Sequence, residues 1–170
     1  MPYNNTETKK KQVTKMFDNI SGSYDFLNHS LSLGMDNIWR KIAIKQLINE
    51  PATILDIATG TGDFAISATK YTNAKITGID ISQGMLNVGL EKITKQGLTD
   101  RIQLQLADSE KLPFQDNSYD AITAGFGVRN FEDLNKGLSE MYRTLKSGGI
   151  LAILEPSEPS SFPIKQLYKL

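Results

Sequence analysis

Residues 53–63 read TILDIATGTGD, and this stretch decides the fold. Its apolar first half predicts a short buried strand, Gly60 and Gly62 predict a sharp turn, and residues 64–71 predict a helix. This order is typical of a site for a nucleotide-like group, because the first helical turn has N–H groups available as donors. A glycine turn can also do no more than turn the chain. Ala65 stands where a dinucleotide site usually has its third glycine, although alanine is tolerated there.

Two acids make the prediction for this turn more specific. Asp56 precedes Gly60 by four residues, where a carboxylate would repel a phosphate and attract a cationic amino-acid end. Asp80, followed by Ile81, ends a second apolar strand eighteen residues after Gly62, at the spacing of an acid that binds ribose hydroxyls. The pattern predicts a ligand with a ribose, an α-amino group and no phosphate, which favours S-adenosylmethionine over NAD.

Length and composition limit the classes of protein that remain. The chain has 170 residues, enough for one domain with a real core. Lys plus Arg and Asp plus Glu are 19 each, so no basic excess indicates nucleic acid as a partner. The absence of cysteine excludes a disulfide scaffold and a thiolate metal site, and we predict no metal. No apolar run reaches the ~20 residues of a membrane span, and the polar N-terminus does not have a signal peptide's apolar core. We therefore expect a cytoplasmic protein that meets any lipid-like substrate at the membrane surface.

Hydrophobic periodicity predicts two domains, an N-terminal helical cap over residues 1–50 and a core over residues 51–170. In the cap we expect a helix from near Gln12 and another over residues 37–49, capped by Asp36, with Trp39, Ile42, Ala43, Leu47 and Ile48 on its inner face. In the core, strands over residues 53–58, 75–81, 102–107, 119–124 and 150–155 alternate with helices over residues 63–71, 83–96 and 134–146, the last ended by Gly148 and Gly149. Strict alternation predicts an α/β fold with a Rossmann-like, doubly wound parallel sheet.

Polar residues gather where these strands end, and the carboxyl ends of parallel strands are the place where such sheets bind ligands. Asp108 and Ser109 follow the third strand and are candidates for the adenine amino group, while Met85 could face the adenine or belong to the core. Gly125 ends the fourth strand, and Glu155 ends the fifth.

The loop FGVRN, residues 126–130, begins where the fourth strand ends. Arg129 is a planar cation that could hold a phenolate oxygen, or it could simply pair with Asp25, Glu132 or Asp133. Tyr24 and Asn130 are further candidates for holding a substrate hydroxyl. His29, the only histidine, could act as a general base, although a surface or packing role suits it better.

Six motifs resemble the methyltransferases of ubiquinone and menaquinone biosynthesis, within the seven-strand class that depends on S-adenosylmethionine. In order they are MFDNISGSYDFLNHSLSLGMDNIWR, GTGD, DISQGML, ADSEKLPFQDNSYDAIT, GFGVRNFED and MYRTLKSGGILAILEPSEP. The resemblance implies C-methylation of the quinol ring of a polyprenylated precursor, demethylmenaquinol or a demethylated ubiquinol. It also implies Thr61, Asp80, Asp108, Ser109 and Gly125 as cofactor-binding positions.

The sequence departs from the family pattern in two places. The family usually has Asn-Ala where this chain has Asp108-Ser109, and an aspartate can still accept from the adenine amino group. The class normally has two more strands after Glu155, so we expect a shortened chain without its final strand pair, whose open edge strand would favour a homodimer. Two other functions remain open: a methyltransferase of the same fold that acts on another small molecule, and a non-catalytic nucleotide-binding module.

Overall fold

The computed structural model of the protein describes residues 7–156. Three helices and a short 3-10 turn precede its first strand. They are α1 (Lys9–Ile20), the 3-10 turn Ser21–Ser23, α2 (Tyr24–Leu31) and α3 (Met35–Ile44). The predicted cap and core domains extend beyond the described residues, at residues 1–6 and 157–170. The division between them at residue 50 stays a prediction.

The core alternates strands and helices as the sequence predicts. Its elements are β1 (Thr53–Ile57), α4 (Asp63–Thr69), β2 (Lys75–Asp80), α5 (Gln83–Lys95), β3 (Ile102–Leu106), β4 (Tyr119–Gly125), the 3-10 turn Val128–Asn130, α6 (Leu134–Thr144) and β5 (Leu145–Leu154). The five strands form one sheet in the order β3-β2-β1-β4-β5, and every neighbouring pair is parallel. The doubly wound α/β fold is therefore confirmed.

Two apolar clusters cover the opposite faces of the sheet. Ile54 belongs to one cluster with residues of α3, α4 and α5, and Leu55 belongs to the other with Met141 of α6. Successive strand residues point to opposite faces, so both faces of β1 are buried. Ile54, Leu55 and Ile57 are each 0% exposed. The end of β1 is therefore a rigid support for the glycine turn that follows it.

The cap differs from the prediction in the limits of its helices. Helix α1 begins at Lys9 rather than near Gln12, because the Thr8 hydroxyl accepts from the N–H of Lys11 and caps the helix. Helix α3 begins after Gly34 in the left-handed conformation, so Asp36 lies in its first turn and is not its cap.

The predicted inner face of α3 is wrong in part. Ile42 and Ile48 are 54% and 83% exposed, whereas the charged pair Asp36 and Arg40 is buried with Ile44. The periodicity of the apolar residues could not reveal this, because one turn of the inner face is occupied by an ion pair.

The last predicted boundary is also wrong. Gly148 and Gly149 lie inside β5 rather than at the end of α6. Tyr119 of β4 pairs with Leu145 of β5, and Ala121 pairs with Ile150. The pairing of β4 with β5 therefore shifts register by an irregularity of the β-bulge type, and the two glycines lie in the extra residues of β5.

Candidate functional site

A cavity of about 640 Å³, measured to its open mouth, lies where the strands end. We call it the main cavity. Nine of the residues predicted for the cofactor or for catalysis line it: Tyr24, Gly60, Asp80, Ile81, Met85, Asp108, Ser109, Gly125 and Asn130.

A second cavity of about 400 Å³, here called the side cavity, adjoins the main one. Asp56 and Thr61 line it, and five residues line both cavities: Tyr24, Ala58, Gly60, Gly125 and Phe126. Of the predicted residues, Gly62, Arg129 and the candidate base His29 line neither cavity.

Asp80 holds the glycine turn. Its side chain accepts from the N–H of Gly60 and the N–H of Ser82, each at 2.9 Å. Burial raises the pKa of Asp80, and these two backbone donors oppose that shift. Gly60 has φ of +57°, and a Cβ there would meet nothing nearer than Met85 Cε at 3.8 Å. The turn therefore leaves open space beside a fixed carboxylate, which suits a ribose hydroxyl.

Asp56 lies beneath the turn and is 1% exposed. It accepts from the Thr59 hydroxyl at 2.5 Å and from the Thr123 hydroxyl at 2.7 Å. Burial raises its pKa to about 6, with a smaller contribution from Asp80, while the two hydroxyls oppose the shift. Asp56 therefore supplies negative charge to the side cavity, as the sequence predicts for a cationic ligand group.

The rest of the turn is fastened to α2 and α5. The Thr61 hydroxyl donates to Asp25 of α2, and Lys92 of α5 donates to the same carboxylate at 2.6 Å. Gly62 has φ of +81°, and a Cβ there would face Ile93 Cδ1 at 3.6 Å. The structure thus places Gly62 at the packing of α4 on α5, which differs from its predicted place at the cofactor.

Helix α1 forms a wall of the main cavity through Lys10, Val13 and Phe17. Lys10 donates to Asp108 at 2.7 Å and to Glu110 at 3.1 Å. Burial alone would raise the pKa of Asp108, but Lys10 and the N–H of Glu110 outweigh it and hold that pKa below its usual value. Asp108 is therefore a charged acceptor. No sequence pattern indicates this contact, because a run of three lysines is typical of a solvated surface.

The loop FGVRN packs closely on β1. A Cβ at Gly127 would lie 2.4 Å from the Cβ of Ala58, so only glycine fits there without movement. Lys9 of α1 donates to the carbonyls of Arg129 and Phe131, which ties the loop to the cap. Asn130 faces the main cavity as a result.

Tyr24 and Arg129 lie in different environments. Burial raises the pKa of Tyr24, opposed by a hydrogen bond with Asn28 and by the charge of Arg129. The Arg129 side chain is 58% exposed, and its Nε lies 3.9 Å from Glu155 Oε2. Its ion-pair partner is thus Glu155, and not one of the three acids considered from the sequence.

His29 lies away from both cavities. Its side chain is 62% exposed, and Nδ1 lies 3.3 Å from Asp36 Oδ1. In residues 7–156 no group of three or more His, Asp or Glu side chains is arranged to hold a metal ion. No helix within the same range is long and apolar enough to cross a membrane.

The described residues fit S-adenosylmethionine. Asp80 and Asp108 line one cavity, where their carboxylates suit ribose hydroxyls and an adenine amino group; Met85 is an apolar wall beside them, and Asp56 adds negative charge in the adjoining cavity. Among residues 7–156, Lys10 and Arg40 are the only basic side chains that line the cavities, and this accords with a ligand without phosphates. This combination of fold and site is that of the Rossmann-like methyltransferases.

Within that class, the chain belongs to the ubiE/COQ5 methyltransferase family, which it matches over residues 5–170. It is 54% identical to a demethylmenaquinone methyltransferase of Bacteroides fragilis, over 99% of this chain and 70% of that protein. It is 46% identical to a ubiquinone/menaquinone biosynthesis C-methyltransferase of Geotalea daltonii, over 94% of this chain and 69% of that protein.

A solved structure agrees with this assignment. A putative S-adenosylmethionine-dependent methyltransferase from Methanococcus maripaludis superposes with a TM-score of 0.69 at 29% identity, over 90% of this chain and 67% of the other. The family and this fold together support an S-adenosylmethionine-dependent methyltransferase.

Proposed function

We propose that this chain methylates a ring carbon of a polyprenylated quinol, a demethylmenaquinol or a demethylated ubiquinol precursor, in respiratory quinone biosynthesis. One observation carries the proposal. The main cavity that holds the cofactor candidates Asp80 and Asp108 is also lined by Tyr24 and Asn130, which suit a quinol hydroxyl. A single cavity of this kind can keep the methyl donor and the ring together.

The cofactor supplies a methyl group on a sulfonium, which is already activated for transfer. The protein's part is to place the ring and to favour its ionised hydroxyl, because the ring carbon becomes nucleophilic when a neighbouring hydroxyl loses its proton. The raised pKa of Tyr24 keeps that phenol protonated, so it is a donor to the quinolate oxygen rather than a base. Asn130 is the second donor in this proposal.

Arg129 has a more distant part in the proposal. It lines neither cavity, but its charge already influences the pKa of Tyr24. We assign it to electrostatic stabilisation of the quinolate, and the contact with Glu155 sets the position of its side chain.

We also propose that the substrate is met at the membrane surface. Phe26, Leu31 and Leu33, on α2 and the turn after it, are 74%, 83% and 89% exposed. We call these three residues the apolar patch. Exposed apolar side chains this close in sequence mark an interaction surface, and a prenyl tail lies in the membrane.

A homodimer is the last part of the proposal. Among the described strands, β5 pairs with β4 alone, so it stands at the edge of the sheet. Leu151 and Ile153 of this strand are 37% and 41% exposed. Sedimentation of the wild type and of a Leu151→Lys variant tests it: the wild type should sediment as a dimer and the variant as a monomer. A monomeric wild type would remove the dimer from the proposal.

Mass spectrometry after incubation with S-adenosylmethionine tests the reaction. Demethylmenaquinol and demethylated ubiquinol analogues with short prenyl tails should gain one methyl group on a ring carbon. Asp80→Asn is the control, because it removes a carboxylate that positions the turn and should abolish labelling. Labelling of a tail-free soluble acceptor, with none of the prenylated quinols, would contradict the proposed substrate.

A further inference from the structure

Arg40 of α3 has a hydrogen-bonding group that no described residue satisfies. The residue is 6% exposed, and its Nε is buried without a hydrogen-bond partner among residues 7–156. One nitrogen of Arg40, Nη2, makes all of its polar contacts with neighbouring side chains in that range: it donates to Asp36 and Asn37 and forms an ion pair with Asp63. A buried, unpaired donor on a charged group is costly unless a ligand or water completes it.

Arg40 is also placed where a ligand can reach it. It lines the side cavity together with Asp56 and Asp63, so both signs of charge meet there. The charge of Arg40 opposes the rise that burial causes in the pKa of Asp56, so the two groups lie within electrostatic range of each other. A cavity with a cation on one side and acids on another is complementary to a zwitterion.

The two cavities fit the two halves of one ligand. The main cavity offers Asp80 and Asp108 to a nucleoside, and it meets the side cavity at Gly60, where no Cβ obstructs the passage. An amino-acid group attached to the nucleoside through the 5′ position therefore reaches the side cavity. Its ammonium would face Asp56 and Asp63, and its carboxylate would face a guanidinium.

We propose that Arg40 binds the carboxylate of the methionine part of S-adenosylmethionine. This inference rests on the proposed function for the identity of the cofactor, and it adds a cofactor-binding residue outside the glycine turn. The proposed role also explains why α3 has a charged pair on its inner face: the ion pair with Asp36 would keep Arg40 buried and oriented when no cofactor is bound.

The test compares two ligands by calorimetry. One is S-adenosylhomocysteine, and the other is its decarboxylated analogue, which keeps the amine and lacks only the carboxylate. Arg40→Gln should weaken S-adenosylhomocysteine roughly ten- to hundredfold, the usual effect of a charge-assisted hydrogen bond, and change the analogue less than about threefold. Arg40→Lys should fall between the wild type and Arg40→Gln.

Two further variants separate recognition from folding. Asp36→Asn/Arg40→Gln removes both charges of the buried pair, so no carboxylate is left unpaired at Asp36. Like Arg40→Gln, this double variant should bind S-adenosylhomocysteine more weakly than the wild type does and bind the decarboxylated analogue about as well. Arg101→Gln removes another partly buried arginine, which donates to the carbonyls of Ala74 and Thr72 outside both cavities, and it should discriminate as the wild type does.

The outcomes distinguish this inference from the function on which it rests. Equal weakening of both ligands in Arg40→Gln and in the double variant would show a structural role and overturn the inference, while the proposed methylation would stand. Failure of the wild type to bind S-adenosylhomocysteine would overturn both.

Discussion

At the residue scale, the acids of the site differ in what surrounds them. Asp56 and Asp80 are buried and their pKa values are raised, whereas Lys10 holds the pKa of Asp108 low. Type and spacing were enough to predict that Asp56 and Asp80 lie where neighbouring parallel strands end, and the structure places them in two adjoining cavities. The sequence could not show that Lys10 pairs with Asp108, because that contact joins residues 98 positions apart.

Asp56 makes a prediction about pH. Its folded pKa of about 6 exceeds the usual 3.8, so the folded state binds this proton more tightly than the unfolded state. The group therefore costs stability as pH rises from about 4 to about 6, up to the order of 3 kcal/mol. Asp56→Asn removes this cost, so the variant should gain stability over the wild type as pH rises: the free energy of unfolding of the variant minus that of the wild type should be larger at about pH 7.5 than at about pH 4.5. Denaturant titrations at about these two values measure it.

A pH-independent difference between Asp56→Asn and the wild type would contradict this prediction. The amide can still accept from one of Thr59 and Thr123, so the substitution changes the charge more than the packing. Groups distant from Asp56 titrate alike in both proteins and cancel in the difference, whereas Asp80, whose charge is coupled to that of Asp56, adds a smaller change of the same origin.

Tyr24 and Arg129 make a prediction about turnover. Tyr24 lines the main cavity, so Tyr24→Phe should reduce kcat roughly a hundredfold, as loss of one stabilising donor usually does. Arg129 is more exposed, so Arg129→Ala should cost only about tenfold, since solvent screens its charge. Arg129→Lys should recover most of that loss. Calorimetry with S-adenosylhomocysteine should give affinities within about twofold of wild type; unchanged turnover in both variants would remove these residues from the mechanism.

At the element scale, the alternation of strands and helices in the core was predictable, whereas the limits of the cap helices and the inner face of α3 were not. Strands β1 to β4 and helices α4 and α5 begin at the residues that the pattern predicts and end within two residues of them. Apolar runs between glycines define such elements locally. Helix α2 and the true inner face of α3 depend on partners such as Asp36 with Arg40 and Asp25 with Lys92, which only the tertiary structure brings together.

Helix α1 connects the cap to the cofactor site at three levels. Lys9 donates to the Arg129 carbonyl of the FGVRN loop, Lys10 pairs with Asp108, and Asp18 accepts from the Ser82 hydroxyl at 2.6 Å. Because these contacts lie along the length of the helix, α1 covers the main cavity rather than resting beside it.

Gly127 makes a prediction about the fit of the loop against β1. Gly127→Ala would place a Cβ 2.4 Å from that of Ala58, so one backbone must move. We expect a loss of about 1–3 kcal/mol in the free energy of unfolding and weaker S-adenosylhomocysteine binding. Gly22→Ala is the matched control, because a Cβ at Gly22 has no atom within 4 Å, and it should change stability by less than about 0.5 kcal/mol. Equal effects of the two substitutions in urea unfolding would contradict the packing argument.

At the scale of the whole molecule, one helix of the cap, α2, contributes both to the cavities and to the apolar patch. Helix α2 contributes Tyr24 to both cavities and Phe26 to the surface, and the patch continues through Leu31 to Leu33. Residues on two sides of a short helix therefore face the cavities and the solvent. In the proposed function, this arrangement would let a prenyl tail stay in lipid while the ring enters the main cavity.

The apolar patch makes the last prediction. Replacing Phe26 and Leu31 by Gln and Leu33 by Asn should weaken binding to liposomes roughly tenfold or more, because three exposed side chains lose their transfer free energy into lipid. Asparagine suits Leu33, whose φ is +51°. Tyr142→Gln on α6 is the control, since Tyr142 is 83% exposed but lies outside the patch. Cosedimentation measures binding, and S-adenosylhomocysteine affinity within about twofold of wild type shows that the site is intact. Equal liposome binding by the triple variant and the wild type would rule out the patch as the membrane contact, because the cofactor site and the fold would be unchanged while the proposed contact was gone.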